Sequence, residues 1–143
     1  MKKYKIGYTT GVFDMFHIGH LNILKRAKEQ CEYLIVGVST DDLVKTYKQK
    51  TPIIPYEERK AIVEAIKYVD KVVPQTSMDK LIAWNILRFN VIFHGDDWKG
   101  STLYAKVEQD LKNVGCDMVF LPHTSGTSST ILTQALQKIL ERD

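Results

Sequence analysis

The chain has few cysteines, no long apolar run, no strong excess of either charge and no internal repeat, and each lack excludes a class of protein. Its two cysteines, Cys31 and Cys116, fall in no metal-ligand spacing. That argues against a disulfide scaffold or a cysteine-held metal and predicts buried, reduced thiols in a cytoplasmic protein. No segment approaches the roughly 18 apolar residues that span a bilayer, and Met1-Lys2-Lys3-Tyr4 leads into a strand without the apolar stretch of a signal peptide. Membrane insertion is therefore not expected. The net charge is +3, from 20 basic and 17 acidic residues scattered along the chain, which disfavours a nucleic-acid-binding stripe but leaves room for local anion sites. With 143 residues, 44% hydrophobic and 26% charged, the sequence fits one domain, residues 1–143. Such a domain buries roughly 68–70% of the extended chain's surface.

The apolar pattern predicts strands alternating with helices. Lys5 to Thr9 reads as a strand, and Leu21, Leu24, Ala27 and Cys31 as the stripe of a following helix. Tyr33 to Ser39 is a continuous apolar run, as in a strand covered on both faces of a parallel sheet. Asp41 to Tyr56, rich in lysine and broken by Pro52 and Pro55, reads as a long active-site loop. A helix from Glu57 to Lys67 with Ala61, Ile62, Ala65 and Ile66 inward is followed by a strand from Val69 to Val73 that Pro74 stops. Asp79 to Arg88 reads as a helix with Leu81, Ile82 and Leu87 inward. Val91 to Phe93 is the next strand, Tyr104 to Asn113 a helix closed by Gly115, and Asp117 to Leu121 the fifth strand. A last helix carries the stripe Ile131, Leu132, Ala135, Leu136 and Ile139-Leu140. The fold class is α/β, a single-domain, doubly wound, Rossmann-like five-stranded parallel sheet.

In that architecture ligands bind beyond the carboxyl ends of the strands. Gly11-Val12-Phe13-Asp14-Met15-Phe16-His17-Ile18-Gly19-His20 falls there and sets two histidines at a strand-to-helix junction. Helix N–H groups and paired imidazoles there suit a phosphate under chemistry. The bland alternative is that one histidine caps the helix while the other packs in the core. Asp14 could orient a histidine, help hold a metal, or satisfy turn donors. The hydroxyl run Thr127-Ser128-Ser129-Thr130 after Gly126 exceeds what capping a helix uses and suits polyphosphate oxygens. Lys45, Lys48 and Lys50 form either a solvated face or phosphate contacts, and Arg59 either an anion contact or an ion-pair partner of nearby carboxylates. Gly95-Asp96-Asp97-Trp98 is either a plain turn with an aromatic lid or a place for a base or ribose, with metal-holding also open.

Taken in order, these segments, with Ser39-Thr40-Asp41, Tyr56-Glu57-Glu58-Arg59 and Lys67-Tyr68-Val69-Asp70, resemble the cytidylyltransferases of the nucleotidyltransferase superfamily marked by an HxGH motif. The resemblance covers nearly the whole chain. It implies attack by the phosphate of a small phosphorylated alcohol, glycerol 3-phosphate or a relative, on the α-phosphorus of CTP. Pyrophosphate leaves, magnesium assists, and the enzyme is a homodimer. His17, His20, Lys50 and Asp14 are then the catalytic set. Nucleotide contacts fall on Thr10, Gly11, Val12, Phe13, Gly19, Lys48, Gly95, Asp96, Asp97, His123, Thr124, Thr127, Ser128, Ser129 and Thr130. Acceptor contacts fall on Lys48, Arg59, Lys67 and Trp98. The chain departs from the family where an arginine is replaced by His123, which has no bidentate fork, and where Val12 replaces a threonine. An ATP-dependent adenylyltransferase, a cytidylyltransferase with a different acceptor and a non-catalytic nucleotide-binding module are the competing readings.

Overall fold

The computed structural model describes residues 2–95, 102–122 and 129–141, without the side chains of 129 and 130. In chain order its elements are β1 (Tyr4–Gly11), α1 (Ile18–Gln30), β2 (Cys31–Ser39), α2 (Asp41–Lys48), α3 (Tyr56–Glu64), β3 (Lys71–Gln75), α4 (Lys80–Leu87), β4 (Val91–Gly95), α5 (Thr102–Lys112), β5 (Asp117–Leu121) and α6 (Ser129–Glu141). The strands form one parallel sheet in the order β3-β2-β1-β4-β5. The order reverses direction between β1 and β4, the switch point at which such sheets open a crevice.

Two cores sandwich the sheet. Leu24 and Ala27 of α1 and Val63 of α3 pack with Leu34, Val36, Val38 and Phe93 on one face. Tyr8, Ile35 and Ile92 pack on the other with Leu111 of α5, joined by partly buried Leu81, Trp84 and Leu87 of α4. Because β2 contributes to both cores, its uninterrupted apolar run is explained by burial on both sides. Gly37 leaves the space that the Tyr8 hydroxyl occupies.

Several expectations are corrected. Cys31 opens β2 instead of closing the first helix; it is buried and free, as is Cys116. The expected loop from Asp41 to Tyr56 contains α2, which Thr40 caps by accepting from the Leu43 N–H. In α3 the inward residues are Arg59 and Val63, while Ala61 and Ile62 face out. Pro74 does not stop β3 but lies inside it, paired with Val38; β3 is an edge strand, where a missing N–H is tolerated. Ile82 is exposed, and so are Ile131, Leu136, Ile139 and Leu140 of α6. Gly115, at φ +83°, takes the left-handed conformation after α5 that the sequence predicts.

Candidate active site

The two histidines build the start of α1. His17 is the N-cap: its Nδ1 accepts from the Gly19 N–H at 3.0 Å, and the His20 Nδ1 accepts from the His17 N–H at 3.2 Å. This is a reciprocal capping box made with imidazoles, so capping and chemistry are not alternatives here. The rings stack with centroids 3.9 Å apart. An Nδ1 that accepts carries no proton, so the network assigns both neutral rings their proton on Nε2, as a donor. Burial lowers the pKa of His17, and burial with the charge of His17 lowers that of His20 to about 4. Phe13 and Phe16 flank the His20 ring, each with its centroid 5.3 Å away.

The turn before the motif is anchored by two side chains, each in the plainer of its expected tasks: Asp14 satisfies backbone donors and Arg59 pairs with a nearby carboxylate. Phe13 and Met15 hold positive φ, 55° and 48°, on either side of Asp14. Asp14 accepts from the Ile53 and Ile54 N–H groups at 2.8 and 2.9 Å, tying the segment after α2 to the motif. Arg59, only 1% exposed, donates to the carbonyls of Ile54, Val12 and Ser39 and pairs with Asp41 at 2.6 Å. It thereby joins the ends of β1 and β2 to the same segment. Of the two readings of Arg59, the structure shows the ion pair, extended into a clamp: four of its five N–H donors bond the protein. Lys48 ends α2 and Gln49 turns left-handed behind it, so Lys50 lies outside the helix. The Lys48 pKa is lowered by burial and by the charge of Lys50, while Asp14 opposes the shift; the two lysines and Asp14 therefore share one electrostatic neighbourhood, and Asp14 also bears on His20.

The other face of the sheet holds a group that sequence reading missed. Lys80, the first residue of α4, is 4% exposed and donates to Thr10 Oγ1 at 3.1 Å. Burial lowers its pKa to about 8. No carboxylate pairs with it among the described residues. His94 of β4 is also buried, and burial together with the charge of Lys80 holds its pKa down at about 3. The only advance signal was a lysine beside an aspartate at a helix start, which reads as an ordinary solvated residue.

Lys67 is not brought to this end. It precedes β3, which starts beside Ile35 and runs toward the site, so Lys67 sits at the opposite edge, where Asp70 accepts from the Leu34 N–H and pairs with Lys28. Gly11 ends β1 and Gly95 ends β4, side by side with the motif. Asp96, Asp97, Trp98, His123, Thr124, Thr127 and Ser128 lie outside the described residues; Ser129 and Thr130 open α6. Among the described residues no three acidic, histidine or cysteine side chains group as a metal cage.

An imidazole capping box at the first turn of a parallel α/β sheet, at the end where its strands open, is a nucleotidyl-transfer type of site. The chain belongs to the cytidylyltransferase-like family, whose pattern matches residues 8–135. It is 38% identical over 132 residues to the glycerol-3-phosphate cytidylyltransferase of Bacillus subtilis, covering 90% of this chain and 94% of that one. The Staphylococcus aureus enzyme of the same name is 35% identical over 90% of this chain and 92% of its own. An FAD synthase of Thermococcus sibiricus is 33% identical over 98% of this chain and 96% of its own. Among solved structures, a lipopolysaccharide core biosynthesis protein of Thermoplasma volcanium superposes with a TM-score of 0.75 at 25% identity, covering 85% of this chain and 99% of that one. No helix among the described residues is long and apolar enough to cross a membrane.

Proposed function

We propose that the protein transfers the cytidylyl group of CTP to glycerol 3-phosphate or a closely related phosphorylated alcohol. A phosphate oxygen of the acceptor forms a bond to the α-phosphorus, the bond from that phosphorus to the bridging oxygen breaks, and the electron pair leaves with pyrophosphate. The observation that carries this reading is the capping box: it leaves His17 and His20 with Nε2–H donors, held rigid, at the positive end of a helix. Phosphoryl transfer needs mostly positioning and charge stabilisation, which two fixed donors supply without reorganising.

The residues divide by the face they occupy. His17, His20 and Gly19 meet the triphosphate, with Lys48 and Lys50 adding positive charge and Ser128, Ser129 and Thr130 extending the cradle. Asp14 and Arg59 position these groups. Attacking and leaving oxygens stand roughly in line, so the acceptor enters opposite the pyrophosphate. Lys80, across the switch point from α1, is the cation proposed to receive the acceptor's phosphate. Magnesium is proposed to enter on the nucleotide's own phosphates, because it typically takes few protein ligands beside phosphate and water. A homodimer and a cytoplasmic location complete the reading.

Purified protein given CTP, magnesium and glycerol 3-phosphate should release pyrophosphate with formation of CDP-glycerol, and ATP should substitute poorly. Absence of pyrophosphate with CTP across a panel of phosphorylated alcohols would refute the proposal.

A further inference from the structure

His94 is buried at 5% exposure, and among the described residues its Nε2 has no hydrogen-bond partner. A buried polar atom left unpaired is costly, so native structures rarely leave one without a ligand, water or strain to explain it. Its neighbours define the chemistry of a partner. The register pairs Thr9 with Phe93, so one step further along the two parallel strands Thr10 stands beside His94. Ile92 packs on the α4 and α5 side of the sheet and Phe93 on the other, and the alternation of strand side chains returns His94 to the α4 and α5 side. Tyr104 of α5 holds the ring there edge to face, with centroids 4.6 Å apart at 82°. Lys80 reaches the same spot from α4 through its bond to Thr10 Oγ1.

Thr10, Lys80 and His94 thus converge at the carboxyl ends of β1 and β4, on the two sides of the switch point. Two of the three are basic, both are buried, and among the described residues no acid faces them. An uncompensated pair of basic groups at a ligand crevice is complementary to an anion.

We propose that His94 is a specificity-determining residue that contacts the acceptor: with Thr10 and Lys80 it forms the acceptor's phosphate pocket, and its Nε2 hydrogen-bonds a phosphate oxygen. The inference rests on the cytidylyltransferase reading above and deepens it. Lys80 supplies charge, while His94 supplies a fixed direction, so phosphates of different shape or bulk are sorted by the histidine.

The test measures KM for glycerol 3-phosphate at saturating CTP, and KM for CTP at saturating acceptor, in wild type, H94F and H94Q. Loss of a hydrogen bond to a charged group should raise the acceptor KM of H94F by about 10-fold or more, with the CTP KM within about twofold. H94Q, which keeps a polar group there, should recover most of the loss. A residue that only packs would alter the urea midpoint and leave the acceptor KM where it was; an unchanged acceptor KM in folded H94F, or an equal rise for CTP, overturns the proposal. If wild type releases no pyrophosphate with any acceptor, the reaction assignment fails separately. The pocket is then tested by titrating inorganic phosphate into the wild-type protein and following the ring nitrogens of its four histidines. A shift at the His94 Nε2, assigned by its loss in H94F or H94Q, supports the pocket, and no shift overturns it. The same wild-type titration serves if H94F does not fold.

Discussion

Replacing Arg59 with methionine separates a clamp from an anion contact. The wild-type guanidinium makes hydrogen bonds of 2.8 Å to the Ile54 carbonyl, 2.7 Å to Val12, 2.8 Å to Ser39 and 2.6 Å to Asp41. Methionine fills most of the volume and makes none of them. Each carbonyl left buried without a donor costs ~1–3 kcal/mol. The Asp41 side chain is 36% exposed and can turn to water, so little is added for it. Three carbonyls at about 1–1.7 kcal/mol each, toward the low end because two of the bonds are only partly buried, give about 3–5 kcal/mol. That is a large share of the ~5–15 kcal/mol that holds a domain together. At about 4 °C per kcal/mol for a chain of this size, Tm should fall by roughly 12–20 °C. Urea unfolding should show a lower midpoint at unchanged slope. R59K should recover only part of the loss, because an ammonium cannot fork to three elements at once. If Arg59 instead met substrate, R59M would keep its stability within ~0.5 kcal/mol and lose acceptor affinity; that result would refute the clamp.

Three further outcomes follow from the site. H17N keeps a good N-cap and should stay within about 1 kcal/mol of wild-type stability by urea denaturation while turnover falls at least about 10²-fold; normal turnover would remove the His17 imidazole from the chemistry. Stability should depend on acid through His17, His20 and His94, whose folded pKa values all lie below the unfolded value of about 6.5. The folded state then binds fewer protons, so the urea midpoint should change little between about pH 6.5 and 7 and fall as pH drops toward 4, and a midpoint indifferent to that fall would contradict the buried neutral rings. K80M should gain about 1–3 kcal/mol in stability at pH 7, because a buried cation without a counter-charge is relieved, yet lose acceptor turnover; a destabilised K80M would show that contacts to the ammonium outweigh its desolvation.

The strand-to-helix alternation and the histidine motif were legible in the sequence because burial on both faces of a sheet, and a glycine between two imidazoles, leave few other interpretations. The sequence pattern failed where a polar residue does the work of an apolar one. The phase of α3 was misread because its most buried side chain is Arg59, which no hydrophobic pattern selects. Pro52 and Pro55 hid α2, a helix of 8 residues that ends before either proline. Pro74 looked like a stop because the sequence does not say which strand lies at an edge. Lys80 and His94 were invisible for a different reason: neither has a partner within its own element, and only the meeting of β1 with β4 brings them together.

That meeting has a consequence for how the family can diversify. On the proposed reading, the groups that act on the triphosphate come from residues 17–50 and 128–130, while two of the three acceptor groups, Lys80 and His94, lie between them on α4 and β4. Selection could rewrite residues 76–94 to accept another phosphorylated alcohol without disturbing the imidazole cap at His17 and His20. A chimera exchanging that segment between two relatives would then inherit its reaction from one parent and its choice of acceptor from the other.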